Sequence, residues 1–244
     1  MVCKRVGESC EDKCMTSGVL VFSRLNSTRL PGKALKKIAG ITLVDRVLDK
    51  LEGVKGISRT IVATTESYLD DPLVAHLKTR GTDVFRGSID DVALRAVCCA
   101  RDYKLDYFVR VSGDSPFIDS NLINKALLEY QNGCFDLVTN IFPRSFPNGA
   151  SVEVIGTSSM QKLLSLTQDP YDREHVTPYF YKNAGNFRIK NLSSGNKKYQ
   201  GVNLAIDTPE DLRRVTWMLE TYGERLNLNL AVEKYLIWER NYAI

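Results

Sequence analysis

The stretch VLVFSRLNSTRLPGKALKK, residues 19–37, joins a short apolar run to a basic segment that contains no acidic residue. Its apolar part, Val19–Ser23, is rich in β-branched and aromatic residues and predicts a buried strand. Further short runs of this kind alternate with helical patterns along the chain, which is typical of a parallel sheet with crossover helices. The predicted fold class is therefore α/β, and the basic segment follows the first strand.

Composition restricts the class of protein. The chain has 244 residues, of which 43% are hydrophobic and 25% are charged, as expected of one globular domain with a large core. The net charge of +4 is mild, so we expect no nucleic-acid partner. No apolar run approaches the roughly 20 residues that a membrane span needs. We therefore predict a cytoplasmic protein with no membrane partner, a disordered extension at residues 1–17 and a single domain at residues 18–244.

The predicted elements alternate in type. In the first part, strands are expected at Val19–Ser23, Thr60–Thr64, Asp83–Phe85, Tyr107–Val111 and Asp136–Asn140, and helices at residues 42–54, 71–81, 88–103 and 119–133, with Ser88 as the N-cap of the third. In the second part, strands are expected at residues 149–156, 186–192 and 202–206, and helices at residues 158–167, 172–183 and 208–223, the second of which is interrupted by Pro178. We expect the later strands to form a small β-containing lobe or a dimer arm.

The basic segment raises the question of which anion it binds. Ligands of open α/β sheets bind at the carboxyl ends of the strands, where the loop RLNSTRLPGK is expected to lie. Arg24, Arg29 and Lys33 supply cations there, and the backbone around Ser27 can form a nest for phosphate oxygens. The chain has neither a P-loop motif nor a G-x-G dinucleotide motif. Side-chain cations would therefore hold a phosphate, and the alternative is a solvated basic loop without a ligand.

Two carboxylates are predicted at the same edge of the sheet. Asp114, in VSGDSPFID, follows the strand Tyr107–Val111, and Asp207, in AIDTPEDL, follows the predicted strand at residues 202–206. Mg²⁺ commonly takes one or two carboxylates together with substrate phosphates. The sequence therefore predicts Mg²⁺ as the cofactor and these two aspartates as its ligands. The alternative for each is a turn or helix-cap role.

Four motifs, SRLNSTRLPGKAL, FRGSIDDVALR, VSGDSPFID and AIDTPEDL, occur in this order along the chain. Together they resemble the cytidylyltransferases that activate acidic sugars, a family that includes the CMP-Kdo and CMP-sialic acid synthetases. The segment DPYDREHVTPYFY is most similar to the spore-coat polysaccharide biosynthesis branch. The resemblance implies a three-layer α/β/α nucleotide-diphospho-sugar transferase fold with a mainly parallel sheet. It also implies the reaction of CTP with a sugar acid to give a CMP-sugar and pyrophosphate.

The resemblance further implies roles for individual residues. Arg24, Arg29 and Lys33 would be catalytic and would hold the triphosphate, and Asp114 and Asp207 match the magnesium ligands of the family. The other implied nucleotide-binding residues are Ser27, Arg86, Gly87, Ser88, Asp91 and Ser112, and the implied sugar-binding residues are Asn148, Glu153, Arg173, Glu174 and His175. For His175 the alternative is a helix-face residue satisfied locally. A homodimer is expected by analogy.

One departure and two rival functions remain open. Ser151, in FPNGASVEV, stands where relatives often have Asp, which leaves its sugar contact unassigned. A glycosyltransferase commonly places its metal on an Asp-x-Asp motif, and this chain has none. A catalytically silent nucleotide-sugar-binding protein would bind the nucleotide without turnover. Pyrophosphate release from CTP that requires Mg²⁺ and a sugar acid distinguishes the three.

Overall fold

The structure, a computed structural model, describes residues 15–242. Its strands are β1 (Ser17–Phe22), β2 (Lys37–Ile38), β3 (Ile41–Thr42), β4 (Arg59–Thr65), β5 (Asp83–Gly87), β6 (Tyr107–Ser112), β7 (Leu137–Thr139), β8 (Glu153–Gly156) and β9 (Ile189–Asn191). Its α-helices are α1 (Leu43–Leu51), α2 (Asp71–Arg80), α3 (Val92–Asp102), α4 (Ser120–Asn132), α5 (Thr157–Leu166), α6 (Pro170–His175), α7 (Pro178–Lys182), α8 (Pro209–Tyr222) and α9 (Leu228–Tyr242).

The predicted N-terminal extension falls outside the described residues up to residue 14. Its last two residues belong to the fold, because the backbone N–H of Thr16 donates to Asp106 at 2.8 Å and Ser17 begins β1. Within residues 15–242, no helix is both long enough and apolar enough to span a membrane.

Seven strands form one sheet, in the order β5-β4-β1-β6-β8-β7-β9. The pairs β5/β4, β4/β1, β1/β6 and β7/β9 are parallel, whereas β8 is antiparallel to both of its neighbours, β6 and β7. All strands of this sheet except β8 therefore run in one direction, and the predicted mainly parallel sheet is confirmed.

Helices cover both faces of the sheet. Val19 and Val21 of β1 pack in one apolar cluster with α1, α2 and α4, and Leu20 packs in a second cluster with α3, α5 and α7. Successive side chains of a strand point to opposite faces, so a continuous apolar run is what a strand between two helical layers requires. The predicted three-layer α/β/α fold is confirmed.

A third apolar cluster lies beside the carboxyl ends of the strands. It joins α8 and α9 to the short β2–β3 hairpin through buried residues that include Ile38, Val215 and Ala231. Helix α8 begins with a capping box in which Thr208 and Asp211 satisfy each other's backbone N–H groups, and Pro209 occupies the first turn. These contacts fix the position of Asp207, the residue before the cap.

The later strands differ from their prediction. The alternative of a dimer arm stays a prediction, but the expected small β-containing lobe is wrong, because β8 and β9 lie in the main sheet. The reason is that all four residues of β8 are buried, so the strand needs neighbours on both sides. The predicted strand at residues 202–206 is also wrong. Its backbone forms one isolated bridge, between Asn148 and Asn203, and the N–H groups of Leu204 and Ile206 donate to the carbonyls of Asn148 and Asp114.

Two helix details also differ from the sequence pattern. The N-cap of α3 is Asp91 rather than Ser88, since the Asp91 carboxylate accepts from the backbone N–H of Leu94 at 2.7 Å. Helix α9 was not among the elements expected from the sequence. Only its first turns are buried, at Leu228, Ala231 and Val232, and so short an apolar stretch gives a weak helical period.

Candidate active site

The basic loop lies at the carboxyl edge of the sheet, where β1 and β6 end side by side. Gly113 directly follows β6, and a Cβ atom there would lie 2.9 Å from the carbonyl of Phe22 and 2.8 Å from the side chain of Ser23. Only glycine therefore lets the chain after β6 approach the end of β1 this closely. Asp114 comes next, and its carbonyl accepts the backbone N–H of Ile206 at 3.0 Å. This bond brings Asp207 to the same place.

Lys33 joins the two predicted metal ligands. Its ammonium nitrogen lies 2.7 Å from Asp114 Oδ2 and 2.8 Å from Asp207 Oδ1, and it also donates to the carbonyl of Ile206 at 3.0 Å. Arg29 contacts the other oxygen of Asp207 at 3.1 Å. Burial alone would lower the pKa of Lys33, but the charges and hydrogen bonds of the two carboxylates outweigh it and raise that pKa. The cluster therefore holds two positive and two negative charges.

A cavity of about 420 Å³ opens beside this cluster. The charged side chains in its wall are five cations and three carboxylates, so the cavity favours an anion. Of the residues predicted from the sequence, the structure brings the following together in this wall: Arg24, Ser27, Arg29, Lys33, Ser112, Asp114, Glu174, His175 and Asp207. Arg24 pairs with Glu174 at 3.6 Å, but both are about half exposed, and such a pair exchanges readily for a ligand.

A smaller cavity of about 220 Å³ adjoins the first and shares Asp114 and Asp207 with it. Its outer wall includes Arg144, whose two terminal nitrogens each donate to Ser151 Oγ at 3.1 Å. Burial lowers the pKa of Arg144 and outweighs the charge of Glu153, which acts in the opposite direction. Among residues 15–242, no carboxylate lies within ion-pair distance of Arg144, so its charge is available in this cavity.

Gly149 and Asn148 form the rim of the smaller cavity. Gly149 has φ +85°, and a Cβ atom there would meet the backbone nitrogen of Ala205 at 2.5 Å, so this turn requires glycine. Asn148 donates from its amide to Asn203 Oδ1 at 2.8 Å. Asn148, a predicted sugar-binding residue, therefore lines the same small cavity as Asp114 and Asp207.

Glu153, a second predicted sugar-binding residue, is completely buried on β8. Its carboxylate accepts from Arg110 at 2.6 Å and from the hydroxyl of Tyr181. Burial, followed by the charge of Glu153, raises the pKa of Tyr181, so this phenol stays protonated and donates. Glu153 thus orients Arg110, which lines both cavities, and has no exposed surface for a sugar.

The remaining predicted residues lie around the first cavity without lining it. Arg86 donates to Asp71 at 2.7 Å and to the carbonyls of Thr65 and Ser67, so its guanidinium is engaged on the outside. Arg173 pairs with Asp91 at 2.8 Å. Gly87 ends β5, and the Ser88 hydroxyl accepts the backbone N–H of Asp91 at 3.1 Å.

The carboxylates of Asp114 and Asp207 can hold Mg²⁺ only if oxygens of the substrate complete its coordination. Within residues 15–242, no group of three or more His, Cys, Asp or Glu side chains could hold a metal ion. Two carboxylate oxygens converge on one cationic centre, the ammonium of Lys33, and a nucleotide phosphate would supply the further oxygens that Mg²⁺ requires. The pair Asp114 and Asp207 is therefore compatible with a metal shared with a phosphate.

Three cations of the site were not expected from the sequence: Arg95, Arg110 and Arg144. Arg95 looks like one polar position of an amphipathic helix, and Arg110 like a polar residue within a strand. For Arg110 a signal existed, because a charged residue in the buried run YFVRVS requires a partner. For Arg144, the departure at Ser151 indicated this region of the site but did not identify the arginine.

Comparison with known proteins agrees with this geometry. Residues 19–234 match the family model described as Cytidylyltransferase. The spore coat polysaccharide biosynthesis protein SpsF of Bacillus subtilis is 29% identical over 231 residues, covering 91% of this chain and 93% of that protein. A 3-deoxy-manno-octulosonate cytidylyltransferase of Brucella canis is 34% identical over 129 residues, 51% of this chain and 50% of that protein.

A solved structure gives the same result. A cytidylyltransferase of Leptospira borgpetersenii superposes with a TM-score of 0.83 at 31% identity, covering 93% of this chain and 95% of the other. The chain belongs to the cytidylyltransferase family, a class of nucleotidyltransferases. The resemblance inferred from its motifs is confirmed.

Proposed function

We propose that this protein transfers a cytidylyl group from CTP to an acidic sugar in a magnesium-dependent reaction that releases pyrophosphate, for the synthesis of a surface polysaccharide. The observation that supports this most strongly is the position of Lys33, Asp114 and Asp207 between two adjoining cavities. The larger cavity has the charge for a triphosphate, and the smaller one has room for an acceptor. The names of the relatives from Bacillus and Brucella supply the class of substrate.

The reaction needs no protein nucleophile. An acceptor hydroxyl oxygen attacks the α-phosphorus, the bond from that phosphorus to the bridging oxygen breaks, and its electron pair leaves with pyrophosphate. The acceptor proton passes to solvent or to a phosphate oxygen. The protein contributes by positioning the reactants and by neutralising charge that spreads over the phosphate oxygens. Arg24, Arg29 and Lys33 would have the second role, and the observation that supports this is that all three line the larger cavity.

Asp114 and Asp207 would hold Mg²⁺, which when bound neutralises phosphate charge and lowers the pKa of an acceptor hydroxyl. Lys33 now occupies the position between these carboxylates. On nucleotide binding, we expect its ammonium to turn towards the triphosphate and to leave both carboxylates to the metal. The positive charge is then conserved at the cluster, so neither aspartate is left unpaired.

Arg144 is the residue we assign to the carboxylate of the acceptor. Its guanidinium faces the smaller cavity and carries two donors in a planar fork, which matches the two oxygens of a carboxylate. Because residue 151 is Ser, the side chain that accepts hydrogen bonds from Arg144 carries no charge. Arg144 and Asn148 also line a third cavity of about 560 Å³, which leaves room for an acceptor that extends beyond its reacting end.

A pyrophosphate-release screen tests the proposed function. CTP, UTP and GTP are each combined with a panel of sugar acids and with their neutral analogues, with Mg²⁺ or with a chelator. We expect release only with CTP, a sugar acid and Mg²⁺ together. A protein that binds CTP but releases no pyrophosphate with any acceptor would instead support the silent binding protein.

The variant Arg144→Met tests, in the same assay, whether this residue binds the carboxylate of the acceptor. Losing a charge-assisted pair should raise the KM for the sugar acid about 10- to 100-fold and leave the KM for CTP within about twofold. Ser151→Asp should also raise the KM for the sugar acid, because the introduced carboxylate would pair with the guanidinium of Arg144. Arg213→Met, at an exposed position of α8, is the control. An unchanged KM for the acid in Arg144→Met would remove this residue from the acceptor site.

A further inference from the structure

One cation lies at the junction of the two adjoining cavities. The walls of the cavities of about 420 Å³ and about 220 Å³ share Arg110, Ser112, Asp114 and Asp207. Among residues 15–242, Arg110 is the one positively charged side chain in both walls, because Lys33 lines only the larger of the two and Arg144 only the smaller. Arg110 therefore lies where a ligand of one cavity meets a ligand of the other.

A buried carboxylate on the neighbouring strand holds this guanidinium. Arg110 of β6 and Glu153 of β8 are directly opposite each other in the antiparallel ladder, and Arg110 Nη1 donates to Glu153 Oε2 at 2.6 Å. Cross-strand pairs of opposite charge stabilise each other. Glu153 is completely buried and also accepts from the hydroxyl of Tyr181. One edge of the guanidinium is therefore fixed by a carboxylate that has no contact with solvent.

The other nitrogens of Arg110 have no acceptor in the part of the chain that the structure describes. Nε is buried without a hydrogen-bond partner, and Nη2 donates to none of residues 15–242. The ring of Phe22 lies 5.9 Å from Arg110 Cζ, so an aromatic side chain packs against the guanidinium. The side chain as a whole is 24% exposed. A ligand at the junction would therefore find free donors on a side chain that the protein already holds in place.

The proposed reaction joins its two substrates at such a junction. A triphosphate in the larger cavity and an acceptor in the smaller one would meet at the α-phosphorus. As the bond from the acceptor oxygen forms and the bond to the bridging oxygen breaks, negative charge spreads over the phosphate oxygens and leaves with pyrophosphate. The acceptor proton goes to solvent or to a phosphate oxygen, so Arg110 transfers no proton. A charged donor that is already in place stabilises this transition state without reorganisation.

Resting on the proposed function, which assigns the two substrates to these cavities, we propose that Arg110 is a catalytic residue that donates from Nη2 to a non-bridging oxygen of the α-phosphate. Glu153 is its positioning residue, because the carboxylate holds Nη1 of the same guanidinium. Lys33 and Arg29 line the larger cavity and not the smaller one, so they act on the phosphates that leave as pyrophosphate. Arg110 acts on the phosphate that is transferred.

Pyrophosphate-release kinetics of a small set of variants test this role. Arg110→Met alone leaves the buried Glu153 without its cation, which destabilises the fold. It is therefore combined with Glu153→Gln, so that no buried charge stays unpaired. Arg110→Lys keeps a charge opposite Glu153 but lacks the planar fork. Arg59→Met is the matched control, because Arg59 is also a strand arginine paired with a carboxylate, that of Asp83 at 3.0 Å, and it lines neither cavity.

We expect the double variant to lose kcat and to keep its substrate affinities. Its kcat should fall about 100- to 1,000-fold, while KM for CTP and for the sugar acid changes less than about threefold, because the lost hydrogen bond strengthens only as charge develops. Calorimetric binding of CTP without an acceptor should also change less than about threefold. Arg110→Lys should remain at least about tenfold slower than the wild type, since one ammonium cannot serve both Glu153 and the phosphate as the fork does.

CTP with sulfur at a non-bridging α-oxygen gives a readout that a purely structural role would not change. Its two diastereomers place sulfur at different oxygens, and sulfur is the weaker hydrogen-bond acceptor. The wild type should use one diastereomer more slowly, and the ratio of the two kcat values should shift by about tenfold in the double variant, because the contact with Arg110 is lost. Arg59→Met should keep the wild-type ratio.

Three results would overturn the proposal for Arg110. A wild-type kcat with an unchanged diastereomer ratio would show that Arg110 only neutralises Glu153. A raised KM for the sugar acid at unchanged kcat would assign Arg110 to the acceptor, and a loss of CTP affinity that accounts for the whole loss of kcat/KM would assign it to ground-state binding of the triphosphate. Each of these leaves an active wild type and the proposed function intact. A wild type that releases no pyrophosphate with any acceptor overturns the proposed function and this inference together.

Discussion

Replacing Lys33 by Met should destabilise the protein in a way that a divalent cation reverses. Lys33, Asp114 and Asp207 have side-chain exposures of 14%, 18% and 26%. Removing one partner of a buried ion pair costs about 3–5 kcal/mol. The cost should be lower here, about 2–3 kcal/mol, because the carboxylates keep some contact with water and Arg29 still pairs with Asp207.

For a domain of this size, each kcal/mol shifts the melting temperature by about 2–4 °C, so Lys33→Met should melt about 4–12 °C lower than the wild type. Mn²⁺ without nucleotide should raise the melting temperature of the variant more than that of the wild type, since the cation replaces the ammonium between the carboxylates. Turnover should fall about 100- to 1,000-fold, because a positive charge that stabilises the leaving phosphates is lost.

Calorimetric melting with and without Mn²⁺, together with pyrophosphate release, measures all three effects. Lys37→Met is the control, since Lys37 is an exposed residue a few positions further along the same segment. If Lys33→Met melted and turned over like Lys37→Met, the central cluster would not exist in solution. If Mn²⁺ stabilised the variant and the wild type equally, the two aspartates would not be metal ligands.

Two further predictions concern the residues that support the site. Tyr181→Phe should lower the free energy of unfolding by about 1–3 kcal/mol, because the fully buried Glu153 loses a donor and keeps Arg110; urea denaturation that shows no loss would contradict this hydrogen bond. Burial would raise the pKa of Asp136, but its hydrogen bonds from Arg188 and Ser159 lower that pKa below 3.8. The contribution of ionised Asp136 to the free energy of unfolding is therefore present above pH 3.8. It is lost as the pH falls through the pKa that Asp136 has in the folded state. The stability difference between the wild type and Asp136→Asn, about 1 kcal/mol at neutral pH, should shrink in acid, and a difference that is constant from pH 2 to pH 7 would exclude this linkage.

The sequence predicted the parts of the fold that depend on local patterns. The run Val19–Ser23 could be recognised as a strand because residues covered on both faces are continuously apolar. Thr208 and Pro209 could be recognised as a helix start because capping chemistry is local. The segment at residues 202–206 has the same apolar composition as a strand. It forms none, because its N–H groups find acceptors in the turn at Asn148 and in Asp114.

The same distinction applies to the site. Lys33, Asp114 and Asp207 were predicted because each follows a recognisable element at the ligand-binding edge. Arg95 was not predicted as a site residue. In the sequence of α3 it cannot be distinguished from Arg101, but the structure buries Arg95 without a partner and exposes Arg101. Glu153 was assigned to the sugar, and the structure places its carboxylate beneath Arg110 instead. Such roles depend on contacts between segments that lie far apart in the chain.

The fate of the α-phosphate decides whether this protein transfers a cytidylyl group to a sugar acid. CTP labelled at the α-phosphorus is incubated with the protein, Mg²⁺ and a sugar acid, and the products are separated. We predict that the label moves into a phosphodiester with the sugar and that an equal amount of unlabelled pyrophosphate is released, only when the acid is present. Label that stays in CTP, or that appears as free CMP whether or not an acid is added, would contradict the proposed reaction.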